Sequence, residues 1–253
     1  MSTDHNSNIV GKVLHEFEHL PSTNQYAVDL ISNASPAEGT VIVAGYQSQG
    51  RGQMGTEWKG ESGQNLMLSV ILRPNFLLVS EQFLLNKAVS LSVYQVIKDY
   101  LGSYTSIKWP NDIYIGNRKV CGILIQNGIQ GTHIQWSVIG IGINVNQKTF
   151  GEDLPNATSF YCEKGQTTDL ILLRDQLFKQ LDHFYALLKE KNDSLDEIYR
   201  QTLYRAGIST IFTQSNGEQF VGTIRDVDSL GRLMVEDQAK QLRKYILKEI
   251  RYQ

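Results

Sequence analysis

The sequence predicts an α+β fold, with one large domain over residues 1–205 and a small antiparallel β-barrel over residues 206–253. Three observations predict it. Short β-branched runs recur between residues 41 and 146, separated by turn residues. Two long segments, 80–101 and 169–191, carry apolar residues at helical spacing. After Gly207 the pattern changes to four or five short strands in about 45 residues, the scale of a small barrel.

Composition bounds the function before any motif is read. The chain has 253 residues, 41% hydrophobic and 20% charged, ordinary for a globular protein. A net charge of −2 gives no basic footprint, so DNA binding has no electrostatic support. The first residues include Asp4, His5, Glu16 and Glu18 and no apolar core, so no signal peptide is read. No apolar run approaches membrane-spanning length, so no membrane partner is expected. Cys121 and Cys162 lack metal or redox spacing, and a reduced, cytoplasmic setting is expected.

In chain order, His15-Glu16-Phe17-Glu18-His19 matches the zinc-protease pattern H-E-x-x-H. That pattern holds zinc only on a helix, and this stretch alternates like a strand between Gly11 and Pro21. On a strand the two histidines stand about 13 Å apart, too far for one ion. Next, Ser22 and Gln25 form a capping box ahead of a helix with Ala27, Leu30 and Ile31 inward, ending near 33–36. Ser22-Thr23-Asn24 reads equally as a cap and as polar groups facing a ligand at a helix N-terminus.

Val41-Ile42-Val43-Ala44 and Asn65 to Leu72 read as strands on either side of Gly50-Arg51-Gly52-Gln53-Met54-Gly55. The spacing matches G-x-G-x-x-G. A dinucleotide site would need a helix next and an acidic residue about 20 positions on, whereas a strand follows and position 75 is Asn75. Kinase signatures are missing. The hexapeptide alone reads equally as a tight hairpin or an anion nest with Arg51 as its charge. Trp58 lies in a Gly/Ser/Glu-rich flap, as a lid anchor or a core plug.

Residues 80–101 form a helix with Phe83, Leu84, Ala88, Leu91, Val93, Val96 and Ile97 inward. In Lys108-Trp109-Pro110-Asn111-Asp112, Pro110 divides a β run in two and presents Asn111-Asp112 at a turn. Gly116-Asn117 makes a hairpin, and strands follow over 119–126 and 134–146. Gly122, Gly140 and Gly142 suit close approach of backbone or ligand. Lys119 alone would pass for a solvated charge. Residues 150–168 read as loop, 169–191 and 195–204 as helices, and 209–213, 219–226, 232–235 and 243–251 as the barrel strands.

Together these stretches resemble the biotin–protein ligases, which attach biotin to a lysine of a carrier protein. The resemblance rests on Ser22-Thr23-Asn24, Gln47, Gly50-Arg51-Gly52 with Gly55 and Trp58, and Asn65-Leu66 with Ser69. It continues through Lys108 to Asp112, Lys119-x-x-Gly122-Ile123-Leu124 and Gly140-x-Gly142-x-Asn144, about residues 14–146 in all. It implies a mixed, mainly antiparallel sheet like the catalytic domain of class II aminoacyl-tRNA synthetases, with an SH3-like barrel after it. Roughly twenty residues precede Ser22, too few for the helix-turn-helix that some members carry, so no DNA partner is expected.

The resemblance also implies a reaction. ATP and Mg²⁺ activate biotin as biotinyl-5'-adenylate, and a lysine of a biotin carboxyl carrier protein takes the acyl group. Ser22, Thr23 and Gln47 would hold the ureido ring while Asn24 shapes that wall, with Gly50, Gly52, Gln53 and Gly122 completing the biotin site. Arg51 and Lys119 would be the catalytic cations, reaching both biotin and nucleotide. Gln53, Trp58, Asn111 and Asn144 would meet ATP or the adenylate, and Asp112 the magnesium. Gln53 stands where the family more often has arginine, which implies earlier release of the adenylate; Gln126 replaces a common acidic residue and is given no role. Monomer and homodimer both remain open, as do a lipoate or octanoate ligase or transferase and a non-enzymatic adaptor.

Overall fold

The computed structural model describes residues 9–192 and 194–252, so Asp4 and His5 lie outside the described residues. The chain runs β1 (Leu14–Leu20), α1 (Thr23–Asn33), β2 (Val41–Gln47), β3 (Leu66–Leu72) and α2 (Gln82–Leu101). It continues through β4 (Thr105–Lys108), β5 (Asp112–Ile115), β6 (Arg118–Gln130) and β7 (His133–Ile143). Three helices follow, α3 (Phe160–Lys164), α4 (Leu170–Lys189) and α5 (Ser194–Thr202). The chain closes with β8 (Ser209–Gln214), β9 (Gln219–Val227), β10 (Leu233–Asp237), β11 (Leu242–Tyr245) and β12 (Ile250–Tyr252).

The first seven strands form one mixed sheet in the order β1-β2-β3-β7-β6-β5-β4. Only β1 and β2 run parallel; the other pairs are antiparallel. Strand alternation divides the sheet into two chemically different faces. One face carries Leu68, Val70, Ile139, Ile141, Cys121 and Ile123 into the main core, with α2 and α4 packed together over it. The other carries Ser69, Gly140, Gly142 and Gly122 at the intervening positions and receives α1. Ala27 of α1 closes a small second core there with Ile42, Ile71 and Val138. A large apolar core holds one side, so the small and polar side is free to line a cleft.

Several expectations need correction. The middle of α2 is buried all round, from Lys87 to Val93, because the helix lies between the sheet and α4. Its Lys87 is 3% exposed and pairs with Asp196 of α5 at 2.7 Å. The segment 150–168 is not all loop: Ser159 caps the short α3 by accepting from the Cys162 N–H at 3.1 Å. Gln25 does not close the expected capping box; its amide donates to Asp29 at 2.7 Å, one helical turn on. Residues 243–251 form two strands, because Glu249 folds back to accept from the Ile246 N–H at 2.8 Å. These strands, β11 and β12, are opposite edges of a five-stranded antiparallel sheet ordered β11-β10-β9-β8-β12. His15 and His19 lie on β1, as the alternation predicts. No described helix is long and apolar enough to cross a membrane.

Candidate functional site

A cleft of about 530 Å³ opens on the α1 face of the mixed sheet. Its two ends differ in chemistry. One end is neutral and is built where α1 begins. The Ser22 hydroxyl caps α1, accepting from the Gln25 N–H at 3.4 Å. Gln47, at the end of β2, accepts from the Thr23 N–H at 2.7 Å and from the Thr23 hydroxyl at 3.1 Å. Ser69 Oγ lies 2.8 Å from Thr23 Oγ1 and 2.6 Å from Asn24 Oδ1. A hydroxyl has one proton, so Ser69 donates to the pure acceptor, Asn24, and the single Thr23 hydroxyl proton serves either Gln47 or Ser69. Asn24 Nδ2 then donates to Gln126 Oε1 at 3.1 Å. Gly140 is what admits Asn24, since a methyl on its Cα would sit 2.2 Å from Asn24 Oδ1.

The other end is cationic. Arg51, Lys108, Lys119, Lys248 and Arg251 line it against two carboxylates, Glu57 and Asp112. Lys119 reaches the cleft through a β-bulge. Ile113 pairs with Cys121 but Tyr114 pairs with Lys119, so Val120 is an extra residue on β6. Val120 and Cys121 both enter the main core. Without the bulge Lys119 would share the face of Cys121; with it, its Nζ comes within 3.3 Å of where a Gly122 methyl would be. The Lys119 backbone is fixed on both sides, its N–H to Asn156 O at 2.7 Å and its O to the Thr158 N–H at 2.8 Å.

Lys119 Nζ pairs with Asp112 Oδ1 at 2.7 Å, with side chains 34% and 24% exposed. A pair this open contributes little to stability, which leaves both groups free to exchange partners. Asp112 fits a hard cation only as one carboxylate of a set completed by ligand oxygens and water. Among the described residues no group of three or more His, Cys, Asp or Glu could hold a metal ion, and His15 and His19 stand four residues apart on a strand.

Trp58 roofs the floor between Lys119 and the strand glycines. Its ring centre is 5.8 Å from Lys119 Nζ. A methyl at Gly142 would lie 2.4 Å from the indole, and one at Gly122 would lie 3.0 Å from it. Two of the three strand glycines therefore seat a tryptophan and the third seats Asn24. The indole N–H is buried without a hydrogen-bond partner among the described residues.

The glycine loop folds back on itself. Trp58 N–H donates to Gly50 O at 2.9 Å and Gly52 N–H to Thr56 O at 2.7 Å. Gly50 is required because a Cβ there would meet Trp58 O at 2.3 Å. Gly55 has φ +81° and completes the turn. The Gly52, Thr56 and Trp58 N–H groups are thus spent inside the loop, which corrects the expectation that the loop N–H groups as a whole make an anion nest. Arg51 and Gln53 face the cleft.

Of the residues singled out from sequence, Ser22, Thr23, Asn24, Gln47, Arg51, Gly52, Gln53, Trp58, Asn111, Asp112, Lys119 and Gly122 all line this cleft. Gly50 and Asn144 are not among its lining residues. Asn144 is 4% exposed, donates to Thr158 O at 3.0 Å and bonds Val120 O through its own N–H at 2.9 Å, so it braces the segment that fixes Lys119. Asn111 is also braced, its amide donating to Ile123 O. The sequence named Ser69, Lys108 and Gln126 without giving them a role, and missed the reach of Lys248, Arg251 and Tyr252 from the second sheet. The parity shared by Lys108, Asp112 and Tyr114 was a usable signal for Lys108; nothing local to residues 248–252 marked their destination.

Comparison with known proteins agrees with this geometry. The chain is 39% identical over 165 residues to the "Bifunctional ligase/repressor BirA" of Bacillus subtilis (strain 168), covering 64% of this chain and 50% of that protein. It is 32% identical over 243 residues to the protein of the same name from Bacillus spizizenii, covering 91% of this chain and 71% of that one. The chain thus spans about half the length of the first relative. A solved structure described as "Biotin protein ligase from Aquifex aeolicus in complex with biotin and ATP" shares the fold, with TM-score 0.79 at 22% identity over 96% of this chain and 99% of that one. A protein-family profile, the "Biotin/lipoate A/B protein ligase family", matches residues 16–144. That span runs from within β1 to just past β7, across the mixed sheet, and by it this chain belongs to the Biotin/lipoate A/B protein ligase family.

Proposed function

We propose that this chain is an ATP-dependent biotin–protein ligase that activates biotin as biotinyl-5'-adenylate and transfers it to a lysine of a biotin carboxyl carrier protein. The observation that carries the reading is the division of one cleft into a neutral hydrogen-bonding end and a cationic end. Biotin has the same division, with a neutral ureido ring at one end and a carboxylate at the other. The relatives' descriptions support it, one naming a ligase and one naming biotin and ATP as bound.

The chemistry follows from the charges. A carboxylate is a poor acyl donor until one oxygen carries a leaving group. The carboxylate oxygen attacks the α-phosphorus of ATP and pyrophosphate leaves. The amine of the carrier lysine then attacks the acyl carbon, AMP leaves with the bonding electron pair, and the amine loses a proton. The first step brings two anions together, and Lys119 with Arg51 offsets their repulsion. One charge pair at 4 Å and effective dielectric 20 contributes about 4 kcal/mol, about a thousandfold in rate. As substrate arrives, Lys119 exchanges Asp112 for the substrate anions. Asp112 is then released toward Mg²⁺, which would neutralise phosphate charge as it enters with the nucleotide. Trp58 and the loop exclude water from the mixed anhydride, and the Trp58 indole N–H supplies a donor to the adenylate.

A lipoate or octanoate tail offers nothing to Ser22, Thr23, Asn24 and Gln47, and burying those groups unpaired would be costly. The deciding experiment offers labelled biotin and labelled lipoate in parallel, with ATP and Mg²⁺, to their carrier domains. Label transfer from biotin alone is expected. Transfer from lipoate alone would assign the chain to the other branch of its family, and transfer from neither would favour a non-enzymatic role.

A further inference from the structure

Lys119 has two neighbours in the sheet, and the second is not a regular strand. β5 sets Tyr114 opposite it, and residues 144–159, which join β7 to α3, return so that Ala157 bridges Lys119 in parallel. The bonds of Asn156 and Thr158 to the Lys119 backbone are made at this bridge. A contact of two backbone bonds at the end of irregular chain opens easily unless side chains close around it.

One carboxylate does close around it. Glu163 lies in the first turn of α3, and its side chain is only 15% exposed. Its Oε2 accepts from the Arg118 guanidinium at 2.8 Å, and its Oε1 accepts from the Thr158 hydroxyl. Arg118 is the residue just before Lys119, and Thr158 is the residue whose N–H holds Lys119 O. Glu163 therefore ties together the two chain segments that meet at the bridge. Thr158 is fully buried, so its hydroxyl needs that acceptor. The helix that carries Glu163 is itself anchored. Phe160 is fully buried with its ring 5.5 Å from Tyr100 of α2, and the Phe160 and Tyr161 N–H groups donate to Asn144 O at 3.2 Å and Val145 O at 2.8 Å.

We propose that Glu163 is a positioning residue for Lys119, a staple that joins Arg118 to Thr158 and so holds in place the stretch of backbone that carries the lysine. The proposal rests on the ligase reading for what Lys119 does. A cation on a long flexible stem meets two anions correctly only when its Cα is held, since a shift of about 1 Å at a reacting group can cost about a hundredfold in rate. The Arg118–Glu163 pair differs from an ordinary surface bridge. Arg118 is half exposed, but the carboxylate is largely covered and serves a buried hydroxyl at the same time. Arg118, Thr158 and Glu163 are not among the residues that line the cleft, so the staple reaches the substrate only through Lys119. It acts on turnover and leaves the neutral end, where Ser22 to Asn24 and Gln47 lie, as it is.

The test compares the full-length wild type with Glu163→Ala, Glu163→Gln, Arg118→Met and the double variant Glu163→Ala/Lys119→Ala. Three quantities are measured: biotin-dependent pyrophosphate release, biotin affinity by calorimetry, and hydrogen exchange of the Lys119 and Thr158 amides by NMR. Glu163→Ala is expected to lower kcat about tenfold while biotin affinity stays within about twofold of wild type. Exchange of the two amides should quicken about tenfold, with the amides of β3 unchanged. Glu163→Gln keeps an acceptor for Thr158, and Arg118→Met removes only the charge pair, so each should lose about threefold in kcat. The double variant should be no slower than Lys119→Ala alone, because Glu163 acts through Lys119. An unaltered Glu163→Ala, biotin affinity that falls in step with kcat, Glu163→Gln as slow as Glu163→Ala, additive losses in the double variant, or unchanged exchange of the two amides would each overturn the proposal. A wild type that releases no pyrophosphate with biotin, while Glu163→Ala still frees both amides, would uphold the staple and refute the ligase reading.

Discussion

Lys119 and Ser69 govern the two ends of the cleft by different physics, and each makes a prediction. Lys119→Ala removes the central cation and leaves Asp112 in its open setting. Biotin-dependent pyrophosphate release is expected to fall by about a hundredfold or more, with the melting temperature within about 2 °C of wild type. Retained activity would remove Lys119 from the mechanism. Ser69→Ala takes away the hydroxyl that Thr23 and Asn24 share. Biotin affinity measured by calorimetry should weaken about tenfold, the usual effect of one lost hydrogen bond in a buried polar network. Much at this scale was legible: Ser22 to Asn24, Gln47, Arg51 and Lys119 announced themselves by motif and all reached the cleft. Lys108 stood in a motif but received no role, because the rings around its ammonium come from residues 6, 96 and 144 positions away. Asn144 stands apart from these, bracing the segment that fixes Lys119. Its motif was visible, but its amide is committed to Thr158.

At the scale of elements, strands and long helices were readable from period, whereas turns made by side chains were not. The division of residues 243–251 into β11 and β12 depends on the Glu249 carboxylate bonding a backbone N–H three residues back, which hydropathy does not register. The turn between β9 and β10 has the same character. Asp228 accepts from the Leu230 N–H at 3.1 Å and the Arg232 N–H at 2.9 Å. Burial pushes its carboxyl up, but the Arg232 side chain and backbone, with Lys244, overcome this and hold it at about 2. A carboxyl lowered from 3.8 to about 2 contributes stability that is complete above its ordinary value and is lost as pH falls toward 2. The melting temperature is therefore expected to drop across that acid interval, and Asp228→Asn should flatten the drop while lowering the plateau near neutral pH. An Asp228→Asn variant whose acid limb matches wild type would assign the loss to other carboxylates.

At the scale of the whole molecule, the large sheet and its helices were foreseeable, and the joining of the two sheets was not. Trp109 donates its indole N–H to Gly231 O at 2.9 Å, and Gly231 has no room for a side chain because a methyl would lie 2.5 Å from Phe83. Lys87, expected on no functional or structural ground, sits between the rings of Phe83 and Tyr199 and ties α2 to α5 through Asp196. The pair is asymmetric, with Lys87 3% and Asp196 63% exposed. Removing the exposed partner strands a buried charge, whereas removing the buried one leaves a carboxylate in water. Asp196→Ala is expected to cost about 3 kcal/mol in chemical denaturation and Lys87→Met distinctly less. Equal losses would show that packing, not charge, dominates the joint. Such asymmetry is invisible in sequence, because it depends on which end of a 109-residue separation is covered.

The bulge at Val120 gives the hairpin a reading frame. Which face a side chain serves depends on counting from the turn, and one surplus residue shifts the count so that the charge and the core exchange places. Substitution at Val120 changes only what fills the core, whereas loss or gain of a single residue between Asp112 and Lys119 would send the ammonium into hydrocarbon and bring an apolar side chain to the substrate. The position therefore tolerates changes of identity far better than changes of length, and chains of this kind should be compared there by spacing before they are compared by residue.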